Sequence, residues 1–83
     1  MTRDELRIIL RKEGFPDDTF SLEGGSPTEA YCLDHFGNDW TVYYSERGHR
    51  NAEVSFRDET TATEYFLALM RRDVGPYLHH RSS

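Results

Sequence analysis

Along this chain the spacing of apolar residues changes twice, from helical to alternating and back. Leu6, Ile9 and Leu10 share one helical face, while Tyr31, Leu33, Trp40, Val42 and Tyr44 fall on one side of alternating runs. Ala62, Tyr65, Phe66, Leu69 and Met70 then return to i, i+3, i+4, i+7, i+8 spacing. With 83 residues there is room for one core only. Neither helical segment is apolar all round, so neither can be buried on both sides. The expected fold is therefore α+β: an N-terminal helix, an antiparallel sheet of three to four strands and a C-terminal helix. Both helices should pack on one sheet face and leave the other to solvent.

The boundaries follow from local chemistry. Thr2-Arg3-Asp4-Glu5 fits a capping box, and Gly14 stands where a left-handed residue ends a helix, so the first helix should cover Arg3–Glu13. Phe20-Ser21-Leu22 reads as a short edge strand before the Gly24-Gly25-Ser26-Pro27 loop. Phe36-Gly37-Asn38-Asp39 and Arg47-Gly48-His49-Arg50-Asn51 read as turns of a meander. Trp40, Val42 and Tyr44 should face inward on the central strand, and Ala52, Val54 and Phe56 on the last one. Thr41, Tyr43 and Ser45 should point the other way. Asp58, or Thr61 with Glu64, can cap the second helix, and Gly75-Pro76 should stop it. Residues 1–76 thus form one domain, with 77–83 as a mobile polar tail.

Charge narrows the function. Between Pro16 and Glu46 the chain carries Asp17, Asp18, Glu23, Glu29, Asp34, Asp39 and Glu46 and no Lys or Arg. The flanks are nearly balanced, so this block supplies essentially all of the net charge of −5. It also holds Tyr31, Tyr43, Tyr44 and the sole Trp, Trp40. An acidic, aromatic sheet region favours a basic partner over nucleic acid or an anionic membrane. Cys32 is the only cysteine and cannot form an internal bridge, which argues against a secreted disulfide scaffold. No apolar run approaches the roughly 20 residues needed to span a bilayer. The chain reads as cytoplasmic.

Catalytic readings find little support in the residues. Cys32 and His35 differ in strand parity, and no cation neighbours Cys32 to activate its thiol. Asp34 and Asp39 flank a turn and could form an acid/base pair, but solvated turn carboxylates are the ordinary explanation. The helix–strands–helix order is shared with double-stranded-RNA-binding domains. Those need basic rows where this second helix begins Asp58-Glu59. His79 and His80 are adjacent, so their side chains diverge, and a metal site is not expected. Tyr43 among carboxylates has the composition of an interface anchor, although it would equally serve to cover a sheet face. Glu46-Arg47 at a hairpin corner is either a surface ion pair or a pair offered to a partner.

The order of features resembles a family of small bacterial immunity proteins found beside polymorphic and contact-dependent toxins. The resemblance is carried by Gly14-Phe15, Phe20 to Gly25, Glu29 to Leu33, Trp40 to Gly48, Phe56 and Tyr65-Phe66-Leu67, with the Trp40–Gly48 stretch the most specific. It implies a non-enzymatic antidote, without cofactor or metal, that binds a cognate toxin with a basic surface in the producing cell's cytoplasm. Many toxins of such systems are nucleases with basic active sites, and a carboxylate cluster can occupy a phosphate-binding cleft. Together with the acidic region it points to Glu29, Asp34, Asp39, Tyr43, Glu46 and Arg47 as partner contacts, on a monomer or weak homodimer. The alternative is a housekeeping interaction module, homodimeric or adaptor-like, that joins open sheet edges or faces.

Overall fold

A computed structural model describes residues 1–25 and 29–81. Helix α1 (Arg3–Lys12) starts on the expected capping box: the Glu5 N–H donates to Thr2 Oγ1 and the Thr2 N–H donates to Glu5 Oε1, at 3.2 and 2.7 Å. It ends as Gly14 turns to φ +89° and the Phe15 N–H reaches back to the Leu10 carbonyl, which folds Phe15 onto the core. A 3₁₀ turn over Asp17–Thr19 leads into β1 (Phe20–Ser21). The remaining strands are β2 (Ala30–Phe36), β3 (Asp39–Glu46) and β4 (His49–Phe56), in spatial order β1-β2-β3-β4.

Strands β2, β3 and β4 form the expected antiparallel meander, but β1 runs parallel to β2, with Phe20 beside Tyr31 and Ser21 beside Cys32. The expectation of a wholly antiparallel sheet is corrected there. Gly24 and Gly25 at φ +71° and +89° turn the chain after β1, and it re-enters the sheet in the same direction. Ser26 and Pro27 of the expected loop, and the last two residues of the expected tail, lie outside the described residues. The two hairpin turns differ. Gly37 alone has positive φ in the first, which fits a II′ turn, whereas Arg47 and Gly48 both do in the second, at +50° and +83°, which fits I′.

Helix α2 (Glu59–Asp73) is capped by Asp58, which accepts from the Thr61 N–H at 2.8 Å, and it lies across β2, β3 and β4 with α1 beside it. Its buried arc is Ala62, Thr63, Phe66, Leu67 and Met70, turned from the expected stripe toward α1, where the Thr63 hydroxyl donates to the Met1 carbonyl at 3.0 Å. Tyr65 is left at the rim against Phe56. Leu6, Leu10, Leu33, Val42, Phe66 and Met70 belong to one continuous core, so both helices cover a single face of the sheet. After Val74 the chain continues as α3 (Gly75–Arg81) instead of a polar tail, with Val74 and Leu78 packed on the core. Pro76 ends one helix and, in the first turn of the next, gives up no needed N–H.

Candidate partner-binding surface

The sheet face without helices is set by one irregularity. Val42 pairs with Val54 but Tyr44 with Asn51, so β4 holds one residue more than β3 across this interval. The extra residue makes a β-bulge, with Ala52 at φ +54°. Beyond it the parity of β4 reverses. Ala52, expected inward, is exposed, and Arg50, expected in the turn, lies on β4 and pairs with Ser45 on the open face.

Arg50 then organises the middle of that face. Its guanidinium lies 4.3 Å from the centroid of the Tyr43 ring, and it reaches Asp34 at 3.4 Å and Glu53 at 3.1 Å. Tyr43 is fully buried, which corrects its expected place as an exposed anchor: it covers the sheet, and Arg50 covers it. The loop after β1 also closes here, since a Cβ on Gly24 would stand 2.7 Å from the Asp34 carboxyl carbon. Asp34 keeps a side chain 30% exposed. Cys32 is buried opposite Tyr43, and burial raises its thiol above the usual range although the Arg50 guanidinium, a cation the sequence did not place beside it, acts the other way. Burial likewise raises the Tyr43 hydroxyl, and neither it nor the buried Ser45 hydroxyl has a hydrogen-bond partner among the described residues. The Cys32 thiol is close enough to shift the Tyr43 titration without bonding geometry.

Toward the first hairpin the open face becomes solvent-facing. Phe36 follows Cys32 and Asp34 on this side of β2 and is 88% exposed. Its ladder partner is Asp39, which is also exposed and has no cationic partner among the described residues. Thr41 and Ser55 continue the face, their hydroxyls 3.4 Å apart. Behind the turn His35 stacks on Trp40 at 3.8 Å between centroids and 6° between planes. The Arg3 guanidinium lies 5.8 Å from the same indole, so the hairpin that carries Phe36 has a stiff base.

The six expected contact residues do not form one surface. Asp34, Tyr43 and Asp39 belong to the open face. Glu46 and Arg47 stand at the far end of β3, roughly 23 Å from Asp39 at ~3.3 Å per residue. There Glu46, Arg47, His49 and Asn51 line an open recess of about 360 Å³. Burial first, then the Glu29 and Glu46 carboxylates, raise the Tyr44 hydroxyl, which places Glu29 at this end too. Asp34 and Asp39 are opposite Thr41 and Phe36, not each other, which corrects the expectation that they could face one another across the hairpin. Within the acidic block, Asp17 pairs with Arg11, Glu23 with Arg7 and Asp34 with Arg50. Glu29, Asp39 and Glu46 have no cationic partner among the described residues.

Phe36 falls in the turn cluster Phe36-Gly37-Asn38-Asp39 by sequence, yet it is the last residue of β2. Its parity with Cys32 and Asp34 was the available signal. No group of three metal-ligating side chains comes together, and no helix is long and apolar enough to cross a membrane, among the described residues. Comparison with protein-family models, curated proteins and solved structures found no significant match.

Proposed function

We propose that this chain is an immunity protein that neutralises a cognate toxin in the cytoplasm of the producing cell by stoichiometric binding, without turnover. The observation that carries the reading is the helix-free sheet face: Arg50 is shared by Asp34 and Glu53 while Asp39 stands unpaired, so two units of negative charge remain among these four groups. Such a face attracts a cationic protein surface, speeds encounter and repels phosphate. A nuclease toxin with a basic cleft fits that chemistry. Glu29 and Glu46, at the far end, add a long-range field more than contacts.

The experiment is a titration against the C-terminal domain encoded by the adjacent upstream reading frame, made in a catalytically silent form. One-to-one binding whose association rate falls steeply with salt, and which Asp39→Lys slows and weakens, is the expected result. Absence of binding at micromolar concentration, or an Asp39→Lys variant that binds as well as the parent, overturns the reading.

A further inference from the structure

We infer that Phe36 is the apolar anchor of this face, seated on binding in a pocket of the cationic partner; this rests on the function proposed above. The Phe36 side chain lies almost wholly in water at the tip of the β2–β3 hairpin, although a phenyl ring in the core would contribute to folding. Folding therefore gains little from this ring in the free protein. Its mounting is rigid: a two-residue turn on Gly37, and a base held by the His35–Trp40 stack and the Arg3 guanidinium. An aromatic side chain presented on a stiff element loses little entropy on docking, which is the profile of an interface hot spot.

The occupant is argued from charge. Asp39, unpaired among the described residues, lies across the ladder from Phe36, and Asp34, two residues before it on the same face, shares Arg50 with Glu53, so the surroundings of the ring are net negative. A second copy would bring the same carboxylates against these, and an anionic membrane would be repelled by them. A cationic protein surface with an apolar pocket satisfies both the ring and its rim.

The test is Phe36→Ser, with Phe36→Trp beside it, against the same silent upstream-encoded domain. Because the side chain is exposed, Phe36→Ser should melt within a few degrees of the parent. Its affinity should fall about 30-fold or more, mostly through faster dissociation, while Phe36→Trp keeps most of the affinity. Binding by Phe36→Ser within twofold of the parent, with Asp39→Lys still weakened, overturns the anchor and leaves the proposed function standing. No binding by the parent overturns both. A parent that sediments as a dimer and a Phe36→Ser variant that sediments as a monomer would assign the ring to self-association and overturn the anchor.

Discussion

Replacing Ala52 by Gly tests the feature on which the open face depends. If β4 were regular, Ala52 would point inward beside Val54 and Phe56, and Gly would remove a buried methyl and loosen a strand. Stability would then fall by about 1 kcal/mol. In the structure Ala52 is exposed and held at φ +54°, where a Cβ costs roughly 1–2 kcal/mol. Gly removes that cost and returns about 0.4–1 kcal/mol through the greater freedom of the unfolded chain. The net gain is centred at ~0.8 kcal/mol, between about 0 and 1.6, a Tm rise of roughly 3–6 °C at the centre for a domain of this size. Ala52→Val, β-branched at the same φ, should lose more than about 1 kcal/mol. Differential scanning calorimetry of the three proteins reads the sign directly. A fall in Tm for Ala52→Gly would show that β4 carries no bulge there. Arg50 would then not lie on the open face, and the burial of Tyr43 would lose its explanation.

Three further outcomes are expected. Gly24→Ala sets a Cβ 2.7 Å from the Asp34 carboxyl carbon at φ +71° and should cost about 1–3 kcal/mol in a urea melt; adding Asp34→Ala should restore part of it, and a neutral Gly24→Ala would show that the loop does not close on Asp34. Tyr31 is pushed up to about 12, first by burial and then by its hydrogen bond to Asp73. Because this pKa is raised above the ordinary 10.0, its stabilisation is complete below pH 10 and is lost as pH rises toward 12. Tyr31→Phe should flatten that alkaline limb, and an unchanged limb would refute the assignment. Arg47→Asn places a residue that tolerates left-handed backbone in the I′ turn and should raise Tm by a few degrees; a lower Tm would mean that the Arg47 side chain supports the fold.

What the residues determined by themselves was the architecture. Thr2, Glu5, Gly14 and Asp58 act on backbone groups within a few positions of themselves, so the helix starts and the end of α1 were legible. The alternation of Tyr31, Leu33, Trp40, Val42 and Tyr44 likewise assigned the helix-covered side of β2 and β3, because side-chain period in a strand is local geometry. The direction of β1 was not legible, since pairing joins segments that a turning loop separates. Nor was α3, where Pro76 serves as well to begin a helix as to end one. The composition of the open face depended most on tertiary structure. One inserted residue at Ala52 reverses the side on which Arg50 stands, and that reversal covers Tyr43 and occupies Asp34, while Phe36 stays exposed on the same face. Composition placed carboxylates in this stretch of chain; which of them meet an arginine, and which meet water, was decided only when strands distant in sequence were set side by side.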